Sequence, residues 1–329
     1  MIGTQRSGSN LLRVMLDAIG DIAAPHPPHI LQRFLPLLPH YGDLSDDRHF
    51  HQLAADVCEL VNINPVPWEG VRMDTDEVLA LCRQHTLYEL FRVIYESAAR
   101  QRGASYWLCK SMKNVFYADG IESTGIRPYY LYLYRDGRDV ALSFQKAIVG
   151  EKHIYALAKS WAADQAEALR LKARCPEDRF FSLSYEELTT RTEETMRRLC
   201  AFLRVPYTDR MMEFYNSRES RNTADAGRMW QNVTQPVMRN NSGKFLKEMS
   251  ADDLALFESV AGHELRQLGY ALHTPEERLI SNFTEEQIAA FARQNEELKR
   301  QFKQQMDPAD LEKRRRQAEL IERIRQRPL

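Results

Sequence analysis

Two glycines near the head of the chain, in Gly3-Thr4-Gln5-Arg6-Ser7-Gly8-Ser9-Asn10, place the strongest constraint on what it can fold into. They keep the glycine spacing of G-x-x-x-x-G-K-[ST], and Leu11, Leu12, Met15 and Leu16 behind them read as a helix. Such a loop joins a strand to a helix and turns backbone N–H groups toward an anion. The lysine that would reach the outer phosphates of a nucleoside triphosphate is Ser9 here, and the hydroxyl that would hold magnesium is Asn10. The cation has moved inside the loop, as Arg6. A phosphate-bearing ligand handled without a metal is expected. Little more than Met1-Ile2-Gly3 remains for the preceding strand, against about five residues in an ordinary one, which reads as a truncated start.

Strand and helix patterns alternate after the loop. Ser105–Cys109 reads as a buried strand, and Tyr129–Tyr134 and Phe180–Leu183 as two more. Helical periodicity covers about Thr86–Arg100, Val140–Lys146, Ala156–Ala173 and Thr192–Leu203. The expected class is α/β: a P-loop-like central parallel sheet flanked by helices on both faces. Ligands of such sheets collect at the carboxyl ends of the strands, where Arg6, Lys110, Arg135 and Tyr185 all fall. The proline- and histidine-rich stretch Pro25–Gly70 is expected to run over the sheet as a lid or substrate wall. From Pro275 the composition becomes that of charged helices. Thr284-Glu285-Glu286-Gln287 is a capping box with Phe283 as its staple, and Asp307-Pro308 starts a second helix. Division into an α/β domain over 1–274 and a C-terminal helical appendage over 275–329 follows. The appendage is expected to pack on the core or on another copy of the chain, with Asn295 setting the register; a solvated tail is the plainer alternative.

Tyr134-Arg135-Asp136-Gly137-Arg138-Asp139-Val140-Ala141-Leu142-Ser143 lies at a strand-to-helix junction and can offer a guanidinium fork and a hydroxyl to a second phosphate. Alone, it would more often be a surface ion-pair cluster. Together with the glycine loop, it resembles the paired nucleotide motifs of sulfotransferases. That resemblance, over about Met1–Leu272, implies the donor 3′-phosphoadenosine 5′-phosphosulfate and the product adenosine 3′,5′-bisphosphate. It implies that Gln5, Arg6, Ser7, Gly8, Ser9 and Asn10 hold the 5′-phosphosulfate, and that Arg135 and Ser143 hold the 3′-phosphate. Tyr185-Glu186-Glu187-Leu188 is similar to a segment whose tyrosine lies near the adenine, and Lys244 to a basic residue that covers the donor.

Arg6 suits charge neutralisation on a departing phosphate, with Lys110 or Lys113 as a second cation. The base is the open question. Many cytosolic relatives carry histidine where this chain has Met112, which takes no proton. Spacing from the loop glycine instead offers His26, with His29 second, on the stiff run Pro25-His26-Pro27-Pro28-His29, held at the site mouth with a near-neutral pKa. Packing or capping in a proline-rich loop is the bland reading of both. No histidine or cysteine spacing fits a metal site, and the five cysteines are scattered without a C-x-x-C pair. A net charge of -1 gives no electrostatic case for nucleic acid, and no apolar run approaches the roughly 18 to 20 residues of a membrane span. A cytoplasmic enzyme acting on a small-molecule, sugar or lipid-linked hydroxyl or amine is the expectation. A non-catalytic sulfonucleotide-binding protein working through its helical tail, and a P-loop kinase, are the alternatives.

Overall fold

The computed structural model describes residues 1–328. Alternation along Tyr130-Leu131-Tyr132-Leu133-Tyr134 explains how the layers assemble. This segment is strand β4 (Tyr130–Tyr134), flanked in parallel by β1 (Ile2–Gly3) and β5 (Phe180–Ser184) in the order β1-β4-β5. Ile2 pairs with Tyr132, and Tyr130 with Phe180. Successive side chains of a strand point to opposite faces. Leu131 and Leu133 accordingly join Leu12, Met15, Leu16 and Leu199 from helices Ser9–Asp17 and Thr192–Leu203. Tyr130 and Tyr132 pack on the other face with Ala168 and Leu171 of helix Ile154–Arg174. The buried Tyr132 phenol is satisfied by donating to Gln165 Oε1 at 2.6 Å. The expected α/β layering is thus observed, with β1 only two residues long.

The strand expected over Ser105–Cys109 is shorter and less buried. Only Tyr106–Trp107 is extended, as β3 of a separate parallel pair with β2 (Ile22–Ala23), and Tyr106 is 42% exposed. Its apolar run reads as a buried strand because Leu108 and Cys109, just past the pairing, are the residues that reach the core. The Pro25–Gly70 stretch is also more ordered than an overlying loop. It holds helices Ile30–Phe34 and Asp47–Asn62, and its Phe34, Tyr41, Phe50 and Trp68 build a core against helix Leu87–Gln101.

The C-terminal helices, Glu285–Gln304 and Pro308–Arg325, both dock on this body. Thr284 and Gln287 exchange both capping-box hydrogen bonds, and Phe283 packs against Tyr155 and Phe291. Asn295 Oδ1 accepts from the backbone N–H groups of Lys152 and His153, at 2.9 and 3.1 Å, which fastens the first helix to the entry of helix Ile154–Arg174. The second helix buries Leu320 and Ile324 in the core of helices Asp47–Asn62 and Leu87–Gln101. Its Gln317 donates to the Leu60 carbonyl, and Arg327, just past its end, pairs with Asp56. Leu320→Ala is expected to cost about 2–5 kcal/mol, the range for truncating a buried leucine. Chemical denaturation measures the loss, and a freely solvated helix would show none.

Candidate active site

Local backbone geometry shapes the loop first. Gly8, at φ 85°, precedes helix Ser9–Asp17, and an added Cβ would stand 2.6 Å from the Tyr185 ring. Arg6 adopts φ 70°, a left-handed conformation unusual for a residue with a Cβ. That turn aims its guanidinium at helix Gly137–Gln145, where Arg6 Nε donates to Ser143 Oγ at 3.0 Å. The two expected motifs therefore meet side chain to side chain.

Arg135 gathers the rest. It leaves the end of β4, donates to the Arg6 carbonyl at 3.0 Å and to the Asn241 carbonyl at 2.5 Å, and lies over the Tyr185 ring at 4.4 Å. Its Nε is buried without a partner among the described residues. Asp139, 3.7 Å away, accepts from the backbone N–H groups of Gly243 and Phe245, pulling the closing segment over the site. Burial and the neighbouring Arg135 charge pull the Arg6 pKa below its ordinary value. Two adjacent guanidiniums and a loop of N–H donors fit a ligand with more than one anionic group. Arg138, from the same motif, is structural. It is buried between Asp136 and Glu258, over the Phe245 ring at 3.9 Å.

Two cavities open on either side of this loop. One, of about 350 Å³, is lined by Gly8, Arg135, Ser143, Tyr185, Asn241 and Lys244. The other, of about 720 Å³, is lined by Gln5, His26, His29, Lys110, Lys113 and Asp164 among others. Arg6, Ser9, Asn10 and Trp230 line both. The expected binding residues thus divide. Arg6, Gly8, Ser9, Asn10, Arg135, Ser143, Tyr185 and Lys244 share the smaller cavity, Gln5 faces the larger one, and Ser7 is buried and lines neither.

The larger cavity holds the three candidate catalytic groups, His26, Arg6 and Lys110. Lys110 is buried without a hydrogen bond among the described residues; burial, then Arg13 and Arg6, lower its pKa to about 7. Lys113 is less available, since its ammonium sits 2.5 Å from Asp164, which also accepts from Thr4 at 2.9 Å. His26 does not stand at the mouth. It is 6% exposed, edge-on to Trp230 at 4.8 Å between ring centroids, and both its ring nitrogens lack partners among the described residues. Nor is its pKa near-neutral. Burial, followed by the charges of Lys110 and Arg13, pushes it well below 6.5 and keeps the imidazole uncharged. His29, at φ 60°, is half-buried beside it, with a pKa lowered to about 3 by desolvation and then by the Lys110 and Arg33 charges.

Several supporting residues carry no motif. The His26 carbonyl accepts from Asn64 Nδ2 at 3.0 Å and Trp68 Nε1 at 2.7 Å, while Gln317 of the C-terminal helix donates to Asn64 Oδ1 at 3.2 Å. Arg13, fully buried on the helix behind the loop, reaches Glu219, Thr223 and the Ala24 carbonyl at 2.5, 2.6 and 2.8 Å. An arginine on the apolar side of that helix was its sole sequence signal.

Residues 1–209 match the sulfotransferase family, and the chain belongs to it. Members of that family are transferases that use 3′-phosphoadenosine 5′-phosphosulfate. Among solved structures, the sulfotransferase domain from the Synechococcus PCC 7002 olefin synthase is similar at a TM-score of 0.51. The pair share 19% identity over 78% of this chain and 92% of that one. The sulfotransferase domain from the curacin biosynthetic pathway gives 0.49 at 19% identity, over 82% of this chain and 96% of that one. The olefin synthase domain supports a shared fold. No curated protein matches the sequence.

The Arg13–Glu219 pair supplies a test of how the site is held. Arg13→Met strands a largely buried carboxylate and is expected to destabilise by about 3–5 kcal/mol. Adding Glu219→Gln should recover much of that loss in a denaturation double-mutant cycle.

Proposed function

We propose that this sulfotransferase moves a sulfuryl group from 3′-phosphoadenosine 5′-phosphosulfate to a hydroxyl-bearing small molecule. The observation that carries the reading is the pair of cavities meeting at Arg6, Ser9 and Asn10. One is lined by groups suited to a doubly phosphorylated nucleotide, and the other is large enough for a separate acceptor.

The residues present fit the donor. Arg135 and Ser143 would hold the 3′-phosphate, and the N–H groups at Gly8, Ser9 and Asn10 the 5′-phosphate, with Lys244 at the rim. The absent Cβ of Gly8 leaves that wall open beside Tyr185. When bound, the donor supplies an activated sulfuryl group with a phosphate leaving group.

His26 is the candidate base. An imidazole kept neutral, with both nitrogens unpaired inside the acceptor cavity, can accept a hydroxyl proton through one of them. Asn64 and Trp68, bound to its carbonyl, fix its backbone. Arg6 and Lys110 neutralise charge growing on the leaving side, and Arg6 remains protonated throughout. Trp230 and the C-terminal helix line the acceptor cavity and limit water there.

Radiosulfate transfer from the donor to a hydroxyl acceptor panel should be detected and should fall about 10²–10³-fold in Arg6→Ala. His26→Ala should lower turnover while bisphosphate binding persists. Thermal shift should show stabilisation by adenosine 3′,5′-bisphosphate and not by ATP; its absence would sink the donor assignment.

Lys110 sets a pH limb. Its lowered pKa means the ammonium is charged below about 7 and loses its charge as the pH rises through that value. The rate constant kcat/KM, which reports the free enzyme, should therefore decline above about pH 7. Lys110→Arg, which stays charged, should remove that decline. His26 stays neutral over this range and adds no limb of its own.

A further inference from the structure

The acceptor cavity carries more positive charge than sulfuryl transfer requires. Arg33, on helix Ile30–Phe34, and Arg314, on helix Pro308–Arg325, both line it, and neither lines the smaller cavity. Arg314 lies over the Trp230 ring at 5.1 Å. The Arg33 guanidinium makes no hydrogen bond or ion pair with any described residue. Burial and the nearby Arg314 charge together pull its pKa below the usual arginine value, as expected of guanidiniums sharing one partly dry chamber.

The carboxylates along this cavity are already engaged. Asp164 is held by Lys113 and Thr4. Glu151 is held by Asn295 and lies 3.6 Å from Lys299. Arg6 and Lys110 have work at the leaving group. Arg33 has none there, because the groups suited to the donor phosphates belong to the smaller cavity. Planar guanidiniums pair best with carboxylate or phosphate oxygens, and an anion between two of them relieves their repulsion.

We propose that the acceptor is itself an anion: a hydroxyl compound whose carboxylate or phosphate is gripped by Arg33, beside Arg314, while its hydroxyl meets His26. The C-terminal helix then contributes to substrate choice as well as to stability. This rests on the sulfotransferase reading of the site, and the test separates the two.

The full chain is first saturated with adenosine 3′,5′-bisphosphate, whose own binding is recorded by calorimetry. It is then titrated with 4-hydroxyphenylacetate, 4-hydroxybenzylphosphonate and the neutral 4-hydroxyphenylacetamide. At least one anion should bind tenfold or more tightly than the amide, and which anion wins separates carboxylate from phosphate recognition. Arg33→Met should bring that preference within about twofold and leave bisphosphate affinity unchanged, and Arg33→Lys should restore part of it. Equal binding of amide and anions, no anion binding, or a preference that survives Arg33→Met would each overturn the proposal. Failure of the bisphosphate itself to bind would instead overturn the donor assignment beneath it.

Discussion

The guanidinium of Arg135 is the point on which the site depends. It rises from the end of the central strand and touches the loop backbone at Arg6, the Tyr185 ring after β5, and the Asn241 carbonyl. Its neighbour Asp139 holds the closing segment through Gly243 and Phe245. Four segments far apart in sequence thus converge on one planar cation. A flexible ammonium could not make these contacts together, because its donors lack the fixed fork that reaches two carbonyls while its plane lies on a ring. The partner-free Nε leaves part of that fork for a ligand.

From this hub the two sides of the loop hold their cations differently. On the side of the smaller cavity, Arg135 is pinned in place by backbone carbonyls and Asp139. On the side of the larger cavity, burial first and the mutual repulsion of cations and histidines second lower the pKa values of His26, His29, Arg33 and Lys110. A chamber arranged this way suppresses positive charge on its weakest base. His26 is kept neutral first by its burial and then by the charges of Lys110 and Arg13.

The sequence made the layering, both phosphate motifs and the helix caps readable because each has a local cause. Gly3 and Gly8 are demanded by backbone conformation, Tyr130–Tyr134 by period-two alternation, and Thr284 and Asp307 by the unpaired N–H groups of helix starts. What stayed hidden is tertiary. Tyr106–Trp107 reads as core because hydrophobicity alone cannot show that the run only skirts an edge. The pKa of His26 depends first on its burial and then on the Lys110 and Arg13 charges, none of which its own segment shows, and so a near-neutral value was the natural expectation. Nothing in Gln317 or Arg314 signals the acceptor cavity, because a polar residue on a charged helix looks solvated until its partner surface is known.

The path from Gln317 through Asn64 to the His26 carbonyl gives the last helix a temporal meaning. The glycine loop and the central sheet lie before residue 185, whereas the helix that borders His26 begins at Pro308. At about 5–20 residues per second of synthesis, the intervening stretch takes roughly 6–25 seconds to emerge. A nascent chain therefore passes through a stage in which the phosphate loop and its sheet can already assemble while the neighbouring chamber lacks a wall. The order in which the ribosome releases the chain is also the order in which its two chambers are finished.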